Sequence, residues 1–143
     1  MKKVLWITVF LAILTSTFSK NRKESNSPLI GTWKYTAHSV ENNFQYIFNS
    51  VCKQSYSTEF FIFENNNVFR HEFINNLGNV VKILKGKWKS INDKVTITYS
   101  DVKFSISVDY FFLDKDLVLG RDFNHVIFSR STIDLENIAM KMK

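Results

Sequence analysis

From Leu29 onwards, apolar and polar residues alternate with a period of two, in short runs separated by clusters of Asn, Asp and Gly. Such alternation is typical of strands that bury one face, and the clusters are typical of tight turns. The pattern predicts eight strands, at residues 29–37, 58–64, 68–73, 80–89, 94–99, 102–113, 117–121 and 125–130. No long helical pattern separates them, so parallel βαβ units are excluded.

Eight strands joined mostly by hairpin-length turns would form a meander with two exposed edges. Closing the meander into a barrel removes both edges, whereas a two-sheet sandwich usually needs longer crossovers than those after Phe63. The composition agrees with a sheet, because the chain has 14 Phe but only four Gly and one Pro. We therefore predict an all-β fold, an eight-stranded antiparallel up-and-down barrel over residues 29–130, with a sandwich as the alternative.

The segment before the first strand is predicted to lie outside the barrel. Two lysines precede an apolar run at residues 4–18, as in a cleavable signal peptide over residues 1–19. The run of 15 residues is shorter than the roughly 20 that span a bilayer, although an uncleaved anchor is the alternative. We expect a mature chain from Lys20, a linker over residues 20–28, a periplasmic or secreted location in a bacterial envelope, and no stable membrane insertion after cleavage.

Two segments break the period of two. Over residues 40–51, apolar residues recur every three to four positions, as in an amphipathic helix, although the alternation around Phe48 also permits a strand. The tail at residues 131–143 has apolar residues at helical spacing, with Asp134 and Glu136 near its start and lysines at its end, which suits the helix dipole. We predict a short C-terminal helix packed on the barrel exterior.

Residues 29–34 and 84–89 share the pattern Leu-x-Gly-x-Trp-Lys, 55 positions apart. Glycine within a strand usually marks a bulge or a close backbone approach, as at a tight barrel corner. The tryptophan two residues later would then fill the interior on the same face. We interpret Gly31–Trp33 and Gly86–Trp88 as the same corner device in each half of the barrel, with chance similarity as the alternative.

These residues resemble the bacterial lipocalin-like domains, within the wider group of lipocalins and fatty-acid-binding proteins, whose members are similar in fold and varied or unknown in function. The resemblance covers residues 29–130. It depends on Gly31-Thr32-Trp33, Phe61-Ile62-Phe63 before an Asn-rich hairpin, Gly86-Lys87-Trp88, and Phe128-Ser129-Arg130 at the end of the last strand. It implies that Trp33 closes one barrel end with Arg130 stacked over its ring. Many members carry a lipid-anchor cysteine or a cysteine pair, and this sequence has neither.

The sequence contains no Gly-rich phosphate loop and no nucleophile elbow, and we predict that the protein is not an enzyme and needs no cofactor. His38, His71 and His125 are too scattered for a metal site. His71 lies on a predicted inward face, where a satisfied interior histidine is favoured over a ligand contact or a haem ligand. The single Cys52 is interpreted as a small buried hydrophobe, with a reactive thiol as the alternative.

The charge of the chain is only mildly positive. The net charge is +6, and removal of residues 1–19 takes away two lysines and leaves +4. The lysines are spread over several strands rather than gathered in one block. We therefore do not expect a nucleic-acid partner.

An eight-stranded barrel has an interior just large enough for side chains or for one small ligand. We therefore predict an exported protein that binds a small apolar or aromatic molecule, with the segment at residues 40–51 gating the open barrel end. The predicted ligand-binding residues are Phe44, Phe69, His71, Trp88, Tyr99 and Tyr110. The alternative is a non-enzymatic envelope interaction or inhibitor protein that acts through its loops while side chains fill the interior.

Overall fold

The computed structural model describes residues 27–39, 55–122 and 124–132, and their strands form a closed antiparallel barrel. Each strand pairs with its neighbours in the sequence, and the last strand pairs with the first. The strands are β1 (Gly31–His38), β2 (Thr58–Phe63), β3 (Val68–Ile74), β4 (Val80–Ile91), β5 (Lys94–Tyr99), β6 (Ser105–Leu113), β7 (Asp116–Arg121) and β8 (Asn124–Arg130). The predicted all-β, eight-stranded, up-and-down barrel is confirmed.

Three predicted features lie outside the described residues: the signal peptide at residues 1–19, the segment at residues 40–51, and the C-terminal helix beyond Thr132. The described part of the chain contains no helix of the length and apolar character that crossing a membrane requires.

Asparagine and aspartate make the tight turns between strands. In the β4–β5 hairpin, Asn92 and Asp93 have φ values of 49° and 58°. Two positive φ angles in a two-residue loop match the right-handed twist of the flanking strands. Asn and Asp tolerate this left-handed region because their short polar side chains hydrogen-bond locally. The turn clusters in the sequence therefore have a direct backbone reason.

The start of β6 differs from the prediction. The sequence pattern predicts a strand from Val102, whereas β6 begins at Ser105. The Tyr99 N–H donates to the Phe104 carbonyl at 3.0 Å, and the Phe104 N–H donates to the Val102 carbonyl at 2.7 Å, so these residues form a tight turn. Phe104 continues the apolar alternation through the turn, and the pattern alone therefore extends the strand too far.

Aromatic side chains fill much of the barrel interior. On β3, Phe69, His71 and Phe73 point inward and are fully buried, as predicted. The Phe61 ring centroid lies 5.2 Å from that of Phe69 and 4.6 Å from that of Phe128, so rings from three strands meet. Each fully buried Phe contributes about 1.5–3 kcal/mol from the removal of apolar surface from water.

A second apolar cluster lies on the outer face of β2 and β3. Phe60, Ile62 and Ile74 are buried there, although they alternate with the interior residues. Glu72 also faces outward, and it is buried, with 3% of its surface exposed. Burial raises the pKa of Glu72, and the Arg70 guanidinium, which donates to its carboxylate at 3.0 Å, lowers it only in part.

Trp33 closes one end of the barrel, as the resemblance implies. Its side chain is buried, and its indole N–H donates to the Leu29 carbonyl at 2.7 Å. The Arg130 guanidinium carbon lies 5.2 Å from the centre of the indole ring, and Nη2 of Arg130 donates to the Ile30 carbonyl at 2.9 Å. The predicted stacking of Arg130 over Trp33 is confirmed, and it joins the start of β1 to the end of β8.

Replacing Arg130 with alanine should lower the free energy of unfolding by about 0.5–2 kcal/mol. The loss would come from the cation–π contact and from the packing of the arginine stem, at a site that solvent partly screens. Urea unfolding followed by tryptophan emission measures it. Arg130→Lys keeps the charge without the planar guanidinium and should recover only part of the loss. Unchanged stability in Arg130→Ala would contradict the proposed role in closure.

Candidate functional site

The barrel interior contains a chain of three hydrogen-bonded polar side chains. Glu59 on β2, His71 on β3 and Tyr99 on β5 all point inward and are between 0% and 5% exposed. Nε2 of His71 lies 2.8 Å from Oε2 of Glu59, and Nδ1 of His71 lies 3.1 Å from the Tyr99 hydroxyl. The β2–β3 register places Phe61 opposite His71, so Glu59 is the next inward residue along β2.

Burial decides the protonation of this network. Burial lowers the pKa of His71, and the hydrogen bond and negative charge of Glu59 raise it by less. The 2.8 Å contact between His71 and Glu59 has the distance of an ion pair. Because burial has the larger effect on its pKa, His71 is nevertheless neutral near pH 7. Burial likewise raises the pKa of Tyr99, which keeps its hydroxyl protonated.

These protonation states assign a direction to both hydrogen bonds. The Tyr99 hydroxyl donates to Nδ1 of His71, and the Nε2–H of His71 donates to the Glu59 carboxylate, because a carboxylate can only accept. The tautomer thus follows from the partners on either side. A raised pKa at Tyr99 disfavours a phenolate, so the arrangement holds protons in fixed places and does not prepare a nucleophile.

The structure brings together part of the predicted ligand-binding set. Phe69 and Tyr99 are in contact, with ring centroids 5.6 Å apart, and His71 joins them through its hydrogen bond. Trp88 reaches the same group through Phe63, whose ring centroid lies 5.3 Å from that of Trp88. These predicted residues are packed against one another, and Phe44 lies outside the described residues.

Tyr110 lies in a different place from the other predicted residues. It lines an open cleft of about 730 Å³ beside β6. The lining residues are Pro28, Asp93, Tyr110, Phe111, Phe112, Arg121 and Asp122. The Phe112 ring centroid lies 5.7 Å from that of Trp33, so the cleft borders the closed barrel end.

Acidic groups outnumber available basic groups in this cleft. Asp93 and Asp122 line it and are exposed. Arg121 is the one cation among the described lining residues, and its Nε lies 3.1 Å from a carboxylate oxygen of Asp109, which Lys94 also contacts at 3.2 Å. Phe111 is 46% exposed at the same cleft. The lining therefore combines exposed aromatic surface with two carboxylates against one guanidinium, a net charge of −1.

Glu59 is the residue of the buried network that sequence reasoning missed. It precedes the continuous apolar run Phe60-Phe61-Ile62-Phe63, in which the period of two cannot separate an inner from an outer face. The sequence did contain one signal: Glu59 precedes Phe61 and Phe63 by two and four positions, so it lies on the same face of β2 as these two residues. Among the described residues, no group of three or more His, Cys, Asp or Glu side chains is placed to hold a metal ion.

No family model, curated protein or solved structure matches this chain. The resemblance to lipocalin-like domains therefore depends only on the residues quoted for it and on the order of the strands.

Proposed function

We propose that this chain is an exported, non-enzymatic, lipocalin-like protein that binds a small aromatic or apolar molecule, and that the ligand occupies the cleft beside β6. The observation that carries the proposal is that three consecutive aromatic residues of β6, Tyr110, Phe111 and Phe112, line that cleft. A volume of about 730 Å³ is within the usual range for small-molecule sites. The export part of the proposal is based on the N-terminal pattern alone.

The charges of the cleft indicate what the ligand carries besides its apolar part. Asp93 and Asp122 line the cleft together with the three aromatic residues, and Arg121 is the single cation of the described lining. An organic cation gains from both groups, because its positive charge is attracted to carboxylates and to the faces of aromatic rings. We therefore propose an aromatic or aliphatic amine as the ligand class.

The buried network supports the cleft over the barrel interior as the site. A ligand at His71 or Tyr99 would have to displace aromatic rings that are already in contact and to break two buried hydrogen bonds. Displacing paired buried polar groups costs free energy unless the ligand replaces the bonds. A ligand at Tyr110 meets neither cost.

Calorimetric titration with phenethylamine, and with 3-phenylpropionate as its anionic counterpart, tests the proposal. Phenethylamine should bind with a Kd of about 0.1–1 mM, as a ligand of this size allows, and the anion at least about tenfold more weakly. Trp33 emission should change on binding, because Phe112 contacts both the cleft and Trp33.

Phe111→Ala should weaken phenethylamine binding about fivefold without unfolding the barrel, because the side chain is half exposed. Leu77→Ala is the matched control, since Leu77 is also exposed but lies in the β3–β4 turn. Equal affinity for the amine and the anion, or equal effects of the two variants, would exclude the cleft as an amine site.

The packed interior favours one other function, a protein that acts on a partner through its loops. Side chains from β2, β3 and β8 meet at Phe61 with ring centroids 4.6 to 5.2 Å apart. Such a barrel can serve as a rigid support for loops. Absence of any binding in the titrations would favour this second function.

A further inference from the structure

Three lysines form a straight row on the outer face of β4. Lys85, Lys87 and Lys89 alternate with the buried residues Leu84, Gly86 and Trp88, so all three side chains point outward, and all are exposed. Alternate residues of a strand are about 6.6–6.8 Å apart. We name these three residues the lysine strip. Lysines are scattered along the sequence, but three of them lie on the same face of β4.

The lysine strip has charge that the described part of the protein does not neutralise. The ion pairs among the described residues involve Arg70, His71, Lys94 and Arg121 as the positive partners, and no residue of the strip. The Asp101 carboxylate accepts a hydrogen bond from the backbone N–H of Lys85, not from its ammonium group. The strip can therefore bind anions without breaking an internal ion pair.

A groove continues the lysine strip onto β5. It has a volume of about 340 Å³ and is lined by Lys89, Ile91, Asn92, Lys94 and Thr96. Lys94 contacts Asp109 at 3.2 Å and is still half exposed. Two ammonium groups thus border a concave space at one end of the strip.

The surface beside the lysine strip is rich in hydroxyl groups. Thr96 pairs with Ser107 and Thr98 with Ser105, each at 3.0 Å between oxygens. A hydroxyl in such a pair can still make a further hydrogen bond. The outward positions of β4 and β5 carry no aromatic ring, so this face lacks the stacking platform that single-stranded nucleic acids use.

We propose that the outer face of β4 and β5 binds a linear anionic polysaccharide. Sulfate or carboxylate groups of the polymer contact the lysine strip one after another, and one such group enters the groove at Lys89 and Lys94. Lysine suits this task because its ammonium group is a point charge on a flexible stem, which adapts to anions of different geometry. The hydroxyl pairs on β5 and β6 meet the sugar hydroxyls.

Binding of a fluorescent heparin oligosaccharide to the full chain, measured by anisotropy at several NaCl concentrations, tests the proposal. Affinity should fall steeply with salt, because each ion pair releases a bound counterion. The triple variant Lys85→Gln/Lys87→Gln/Lys89→Gln should lose at least about 30-fold in affinity at low salt, and its log–log salt slope should fall by about two to three. Binding of phenethylamine should be the same in this variant.

The matched control is Lys34→Gln/Lys103→Gln/Lys115→Gln, which removes the same charge from exposed positions on β1 and in two turns. It should change heparin affinity less than about threefold, and both variants should unfold at the same urea concentration as the parent. An equal loss in the two variants would show that net charge alone is responsible and would overturn the proposal. Tighter strip-dependent binding to oligothymidine or to phosphatidylserine vesicles than to heparin would also overturn it.

Discussion

Replacing His71 with leucine should lower the free energy of unfolding by about 3–5 kcal/mol. The imidazole is fully buried and donates to Glu59 at 2.8 Å while accepting from Tyr99 at 3.1 Å. Leucine fills much of the same volume, so the main cost is a buried carboxylate that has lost its N–H donor. Removal of one partner of a buried charged group costs more than an exposed contact of the same length.

A double-mutant cycle separates this cost from loss of packing. Glu59→Leu alone leaves the His71 N–H without its acceptor and should cost about 1–3 kcal/mol. Glu59→Leu/His71→Leu removes both partners and should cost clearly less than the sum of the two single changes, because neither group is then stranded. Urea unfolding at pH 7 measures all three variants. Additive losses would contradict the view that these side chains are energetically coupled.

The pH dependence of stability provides an independent check on the neutral state of His71. Its pKa in the folded protein lies below the value of about 6.5 in the unfolded chain, so the unfolded state binds more protons as the pH falls. Stability should therefore decrease below about pH 6.5, with a slope approaching 1.4 kcal/mol per pH unit for one proton. His71→Leu should lack this slope.

Glu72 contributes to the same pH range with the opposite sign. Burial raises its folded pKa above the ordinary glutamate value of 4.5, so its contribution to stability decreases as the pH rises from 4.5 through the folded pKa. The pH dependence of stability is therefore best compared between Glu72→Gln and Glu72→Gln/His71→Leu. A slope that survives in Glu72→Gln/His71→Leu would exclude His71 as its source.

Strict alternation with a polar face locates β5 in the sequence. β5 is predicted at both of its ends because Lys94, Thr96 and Thr98 alternate strictly with buried residues. β2 carries apolar residues on both faces, and there the period of two cannot decide which face is inward. Glu72 is buried beside the same apolar outer face of β2 and β3, which a period of two does not reveal.

The candidate site depends on strand register, which alternation does not provide. A period of two assigns a face to Tyr110 and to Tyr99 but does not say which residues lie at the same height in the barrel. β6 pairs with β5 over Ser105–Asp109 only, and with β7 over Tyr110–Leu113. Asp109 pairs with Lys94 at the start of β5, whereas Tyr99 ends β5, so the antiparallel register places the two tyrosines at opposite ends of β5.

Gly86→Ala should be the other strongly destabilising change, with a loss of about 3 kcal/mol in the free energy of unfolding. A Cβ at this position would press into the Thr98 carbonyl oxygen and lie 3.1 Å from the Thr98 carbonyl carbon. These are backbone atoms of the paired strand, so no side-chain rotation relieves the contact. Gly86 also lies between Phe69 and Tyr99 on the adjacent strands, whose rings meet across it at 5.6 Å.

Gly78→Ala is the control that isolates this close approach. Gly78 has a φ of 83°, and a Cβ there would have no atom within 4 Å, so only the left-handed backbone penalty of about 1–2 kcal/mol applies. Adding Tyr99→Ala to Gly86→Ala should not restore stability, because the obstructing atoms belong to the Thr98 backbone rather than to the tyrosine ring. A loss at Gly86 no larger than the loss at Gly78 would mean that β4 and β5 can separate without cost. The close approach of the Thr98 backbone would then give no structural reason for the glycine of the Leu-x-Gly-x-Trp-Lys pattern at position 86.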